Sequence, residues 1–184
     1  MRIDREFAFR LLEGARKRGA DLAEVYLKSS RSLSVEVRDQ RTDALESSTD
    51  FGYSLRVIRD KRLGFSFATA QGDADSVIAR AVEASRWTVQ DEWLDLPGPS
   101  EQTSLDIFDE AIASMDEGEA IEKALKIEKA ALDADARIRK VRKASASFSQ
   151  RDRLIMNSKG LEKAYSATAC VAQIMVVAEN GSDS

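Results

Sequence analysis

Ser32-Leu33-Ser34-Val35-Glu36-Val37-Arg38 alternates polar and branched apolar side chains with the period of a β-strand buried on one face, and Asp39-Gln40-Arg41 ends it in a turn. The same period appears on both sides. Upstream, Ala23, Val25 and Leu27 alternate with Glu24, Tyr26 and Lys28; downstream, Phe51, Tyr53, Leu55 and Val57 alternate again. Asp60-Lys61 closes a second turn and Leu63, Phe65 and Phe67 follow. This predicts a run of short antiparallel strands, apolar inward and polar outward. Helices bracket the run. Phe7, Leu11 and Ala15 fall four apart, with Asp4 as a cap and Gly19 as a stop. Val77, Ile78, Ala81 and Val82 mark a second helix, with Asp73 as its cap.

The pattern breaks at Leu96-Pro97-Gly98-Pro99-Ser100. The expected organisation is an N-terminal α+β lobe at 1–94, a linker at 95–104, and a second α+β lobe at 105–184. A short helix is expected from Asp106 to Ala113. A longer one is signalled by the capping-box spacing of Asp116 and Glu119 and by the face Ile121, Ala124, Leu125, Glu128, Ala131 and Leu132. Strands resume near Ile138, and Asn157-Ser158-Lys159-Gly160 reads as a turn. Ala167 to Ala178 is apolar on both faces, which predicts a strand central in a sheet. At an offset of 119, Val35 and Val37 fall on Leu154 and Met156 and Ser47 on Ser166, the self-similarity expected of a diverged duplication. The fold class is therefore α+β, as two similar lobes, each a helix plus short antiparallel strands. Glu179-Asn180-Gly181-Ser182-Asp183-Ser184 carries a hairpin-turn signal with no returning strand, which leads us to expect the front part of a longer polypeptide, truncated before a C-terminal domain.

Composition removes whole classes of chemistry. The 184 residues include no histidine and one cysteine, Cys170, so no Ser-His-Asp triad, Cys-His dyad or His-ligated zinc can be built from them. A lone cysteine makes no intrachain disulfide, which fits a reducing compartment. The net charge of -4 gives no general attraction to nucleic acid or an anionic membrane. No apolar run approaches the roughly 20 residues of a membrane span, and no signal-peptide pattern opens the chain, so the cytoplasm is the default. GxGxxG, GxxxxGK[ST] and HExxH are absent. Asn180-Gly181-Ser182 matches a glycosylation sequon but reads as a turn. The acid clusters Asp91 with Glu92, Asp106 with Asp109 and Glu110, and Asp133 with Asp135 read as exposed charge and helix-start acids rather than metal ligands. Cys170, between Ala169 and Val171, reads as a small buried apolar residue. Arg137 to Lys143 reads as a solvated edge strand rather than a phosphate-binding patch. No catalytic residue and no metal ligand is assigned. The Ser-rich strands are the one feature left. Ser32, Ser34, Ser47, Ser48, Ser147 and Ser166 are candidates to line a groove for an extended peptide, and a plain solvent-facing sheet is the alternative.

Gly19-Ala20-Asp21-Leu22-Ala23-Glu24-Val25-Tyr26, Ser32 to Arg38, Glu46-Ser47-Ser48, Gly52, Leu55-Arg56-Val57 and Gly64-Phe65, in that order, resemble the start of the TldD/PmbA proteins, U62-like peptidases also called modulators of DNA gyrase. Asp116 to Asp135, with Glu128-Lys129-Ala130-Ala131-Leu132, is similar to that family's middle helix. Asn157-Ser158-Lys159-Gly160 and Val177-Ala178-Glu179-Asn180-Gly181 are similar to its later hairpins. The second half looks more like the PmbA (TldE) branch than the TldD branch. The resemblance implies the N-terminal, non-catalytic region of a subunit of a cytoplasmic metallopeptidase. Members are more than twice this length, and an HExxxH zinc motif of the TldD branch lies beyond the matching region. Zinc is thus expected in a TldD-like partner or in a C-terminal region, not in these residues. The implied partners are that zinc subunit or a second copy in a dimer, and unfolded peptide as substrate, with no nucleic acid and no membrane. An interaction module with no proteolytic role is the competing reading.

Overall fold

The computed structural model describes residues 4–101 and 103–179. The chain forms α1 (Arg5–Lys17), β1 (Leu22–Arg38), β2 (Arg41–Arg59), β3 (Arg62–Ala68), α2 (Ala74–Ala84), α3 (Glu110–Ala113), α4 (Glu117–Ala134), β4 (Ile138–Asn157) and β5 (Glu162–Ala178). The strands form a five-stranded sheet in the order β3-β2-β1-β4-β5. The class is α+β, as the sequence implies, but four of the strands are long rather than short. In β1 the buried residues Ala23, Val25, Leu27 and Ser29 are followed by Leu33, Val35 and Val37 in unbroken phase. No Gly or Pro lies between Leu27 and Leu33, so nothing ends the strand there. The β1–β2 and β2–β3 turns place Asp39, Gln40, Asp60 and Lys61 at φ of 51–58°, the left-handed pairs of a type I′ hairpin.

Two compact units result, each drawn from three stretches. The first holds residues 4–29, 50–106 and 151–166; the second holds 30–49, 107–150 and 167–179. In the first unit α1 and α2 pack on the apolar side of the strands, around Phe7, Leu11, Val25, Leu27, Leu55, Val57, Val77 and Leu154. Burial of such side chains is the main favourable term, about 1.5–3 kcal/mol each. Asp4 caps α1, accepting from the Phe7 amide at 2.9 Å. Asp73 does not cap α2: it sits in a 3-10 turn, Gln71–Asp73, and its side chain makes no capping bond. Gly64 lets the helix close on β3, since a Cβ there would lie 1.9 Å from the Ala81 carbonyl oxygen. Residues 95–101 form no helix or strand and are tied to the Asn157 turn. Leu96 is buried, Asn157 Nδ2 donates to Pro97 O at 2.9 Å, and Lys159 Nζ meets Asp95 at 2.9 Å.

In the second unit α4 packs on Leu33, Val35, Val37, Val141, Ala144, Ala146 and Phe148. Its capping box is present, with Asp116 and Glu119 each bonding the other's amide. The short helix is shorter than expected, four residues from Glu110. Asp109 caps it, and the segment before runs extended, with Ile107 O accepting from Thr168 N at 3.0 Å. Three expectations about the strands are corrected. The basic run at 137–143 is not on an edge: β4 lies between β1 and β5. Val141 is buried, while Arg139 and Arg142 reach water along their flexible stems. Ala167 to Ala178 is not central: β5 is a terminal strand, with Met175 56% exposed and Val171 50%. Cys170, on the same strand, is exposed rather than buried. Apolar composition makes a strand suited to burial but does not fix its place in the sheet. The turn read at Asn180-Gly181 lies outside the described residues.

Candidate functional site

Alternation along each strand sends one set of side chains to the helices and leaves the other set on an open face. On the second unit's open face, Ser32 Oγ lies 3.1 Å from Ser48 Oγ, and Ser34 Oγ lies 2.8 Å from Ser147 Oγ. Lys143 Nζ pairs with Glu36 at 2.9 Å beside them. Four of the six candidate serines, Ser32, Ser34, Ser48 and Ser147, therefore line one face across β2, β1 and β4. Ser47 follows the opposite phase of β2 from Ser48. Ser166 belongs to the other unit, where it donates to Asp152 Oδ1 at 2.6 Å. The hydroxyls bond one another rather than a base, so the face offers hydrogen bonds and room, not a nucleophile.

The first unit's open face is different in kind. Tyr26, Phe65 and Phe67 are exposed on it. Arg56 Nη2 donates to Glu24 at 2.6 Å, and Arg56 Nε, buried, meets no acceptor among the described residues. A cleft of about 300 Å³ lies against Tyr26, Lys28, Gly52, Ser54 and Phe67. Sequence reasoning passed over this face. Only Tyr26 stands at the polar phase of its strand; the alternation of β3 predicts Phe65 and Phe67 inward, and the structure turns them outward because Gly64 and Ser66 are the residues that face α2.

A second residue that sequence reading placed without its role is Glu128. It is 1% exposed on α4, and its two oxygens accept from the amides of Asp39 and Gln40 at 2.8 and 2.7 Å and from Gln40 Nε2 at 2.9 Å. An acid on the buried stripe of Ala120 and Ala124 was the available signal. Asp21 plays the matching part at the other turn, accepting from the Asp60 amide at 2.8 Å. Elsewhere, the Lys159 ammonium hydrogen-bonded to Asp95 holds that carboxyl below its ordinary value, and Arg137 does the same to Asp135. Burial, and then the Asp73 charge, raise the Tyr53 phenol.

The donor set does not fit a zinc centre. The chain has no histidine, Cys170 stands alone on an exposed strand, and among the described residues no three acidic or sulfur ligands converge. Nor, among the described residues, is any helix long and apolar enough to cross a membrane.

Antiparallel strands backed by helices define an α+β scaffold. Residues 23–85 match the family model described as PmbA/TldA metallopeptidase domain 1, and residues 110–184 the PmbA/TldA metallopeptidase central domain. The chain belongs to the PmbA/TldD family. It is 30% identical over 176 residues to the Metalloprotease PmbA of Escherichia coli O157:H7, covering 89% of this chain and 37% of that protein. Its fold is similar to that of TldE from Thermococcus kodakarensis, with a TM-score of 0.83 at 22% identity, over 96% of this chain and 40% of that one. A candidate modulator of DNA gyrase from Thermotoga maritima has the same fold, with a TM-score of 0.84 at 17% identity, over 96% and 40% of the two chains. The chain thus spans well under half the length of the relatives it matches.

Proposed function

We propose that this chain is the N-terminal, non-catalytic region of a PmbA/TldE-type subunit, and that it walls a chamber for unfolded peptide in a cytoplasmic metallopeptidase assembly. In this reading 1–94 and 105–184, either side of residues 95–104, are its successive domains. Zinc and the hydrolytic water belong to a TldD-like partner or to a C-terminal region. The observation that carries the reading is the serine face of the second unit, where Ser32 with Ser48 and Ser34 with Ser147 present a small-residue, hydrogen-bonding surface. Such a surface lets an extended chain lie close without selecting its side chains. The partner of the assembly is a TldD-like zinc subunit, or a second copy in a homodimer. The test is digestion of an unfolded peptide by the full-length protein with and without its zinc-bearing partner. Cleavage that requires both supports the reading, and intact peptide with both present ends it.

The exposed β5 favours one competing role, an interaction module with no proteolytic part. Purification as a stable complex without a zinc protein, together with no peptide binding by titration, would establish that role.

A further inference from the structure

The open face of the first unit holds a cleft that the serine-lined face does not explain. Its walls come from three adjacent strands. β2 lies between β1 and β3. Ser54 of β2 is paired directly with Phe67 of β3, and Tyr26 of β1 lines the cleft from the other side. Strands two places apart in a sheet stand about 9.5 Å from each other, so two rings carried on them leave room for one side chain between. The cleft volume of about 300 Å³ agrees. It is at the small end of ligand sites, which run from about 300 to 1,000 Å³. Tyr26 is 39% exposed and Phe67 67%, so neither ring is spent on the core.

Lys28 supplies the charge. It lines the cleft two residues along β1 from Tyr26, and among the described residues its ammonium meets no carboxylate. A Cβ on Gly52 would lie 3.1 Å from Lys28 Cε and 3.7 Å from its Cγ, so the lysine stem crosses β2 on the bare backbone of Gly52. That lays the cationic end over the middle strand of the cleft. Ser54 and Thr69, also in the lining, carry hydroxyls able to donate to an anion. Among the described residues no acid lines the cleft. Glu24 and Asp50, on the same two strands, lie outside the lining, and Glu24 is engaged by Arg56.

Two rings, one cation and no anion select a ligand that holds an apolar group and one negative charge close together and has no positive charge beside them. We propose that this cleft binds the C-terminal residue of a peptide, with its apolar side chain between Tyr26 and Phe67 and its α-carboxylate at the Lys28 ammonium. In a terminal residue the side chain and the carboxylate spring from the same Cα, so both enter the cleft together. A free amino acid carries the same pair but adds an ammonium, which would face Lys28 with no acid in the lining to receive it. The proposal rests on the peptide-chamber reading for its occupant and uses none of the serines of that reading.

The test is fluorescence anisotropy of the full-length protein with a short labelled peptide ending in Leu, once as the free acid and once as the C-terminal amide. The acid is expected to bind about fivefold tighter, the scale of one exposed charge pair. Lys28→Gln should erase that difference and Lys28→Arg should keep most of it. Phe67→Ala and Tyr26→Ala, both at exposed positions, should weaken binding of the acid about tenfold with unchanged circular dichroism. In competition, N-acetyl-leucine should displace the acid better than free leucine does. Equal binding of acid and amide, a preference for the acid that survives Lys28→Gln, leucine competing as well as N-acetyl-leucine, or no binding by the intact protein would each overturn the proposal. So would a dimer that Phe67→Ala dissociates in sedimentation, by showing that a second copy fills the cleft. Cleavage by the assembled complex, with acid and amide bound equally, would end this site and leave the chamber reading standing; preferential binding of the acid without cleavage would do the reverse.

Discussion

In the first unit a helix meets the sheet through a missing side chain; in the second it does so through a buried charge. Ala81 of α2 rests where a Cβ on Gly64 would stand. Glu128 of α4 instead reaches the β1–β2 turn and takes the amides of Asp39 and Gln40. Both devices hold a helix to a hairpin, but one works by shape and the other by hydrogen bonding. The open faces divide in the same way. Tyr26, Phe65 and Phe67 make the first unit's face apolar, whereas Ser32, Ser34, Ser48 and Ser147 make the second's polar. One sheet thus carries two surface chemistries, because the residues facing away from the helices are free to differ once the inward set is satisfied.

The sharpest way to break the contrast is Gly64→Ala. The backbone carbonyl it strikes has little room to shift, so urea unfolding should show a loss of about 3 kcal/mol or more. A variant that unfolds like the parent would mean the helix does not depend on that close approach. Glu128→Ala comes next. It removes a buried acceptor from two amides of an exposed turn, for an expected loss of about 1–2 kcal/mol, and Glu128→Gln should recover part of it. Equal losses for the two variants would show that the charge, not the acceptor, matters. Ser147→Ala removes one hydroxyl partner and should cost about 1 kcal/mol, with no change in fold. The two turns separate the units more finely. The side chain of Lys61, at φ 58°, makes one exposed hydrogen bond, to Leu94 O at 3.1 Å, so Lys61→Gly should stabilise by about 0.5 kcal/mol. Gln40→Gly relieves the same backbone strain but loses the Nε2 bond to Glu128, and should stabilise less or not at all.

The smallest effect is electrostatic. Asp95 in the first unit and Asp135 in the second have folded pKa values depressed from the ordinary 3.8 by Lys159 and Arg137. A depressed carboxylate contributes stability above its unfolded pKa and loses it as pH falls through the folded value. Carbon-detected NMR titration should therefore place both midpoints below 3.8. Lys159→Met should return Asp95 toward that value, and Arg137→Met should do so for Asp135. Both carboxyls are exposed, so added salt should shrink the shifts.

Much of this molecule was legible from residue order alone. The period-two runs, the turns at Asp39-Gln40 and Asp60-Lys61, the caps at Asp4 and Asp116, and the absence of histidine are local properties, and local sterics and hydrogen bonding decide them. The serines at 32, 34, 48 and 147 were visible as candidates because alternation assigns a face. What residue order did not settle was which strand neighbours which. Charged Arg137 to Lys143 looked like an edge and is interior; apolar Ala167 to Ala178 looked interior and is terminal. Composition reports what a strand tolerates on its faces, while its place in a sheet depends on main-chain partners far away in sequence. The roles of Glu128 and Gly64 likewise exist only once a helix has docked, because a buried carboxylate and a missing side chain acquire meaning from the group that tertiary packing brings against them.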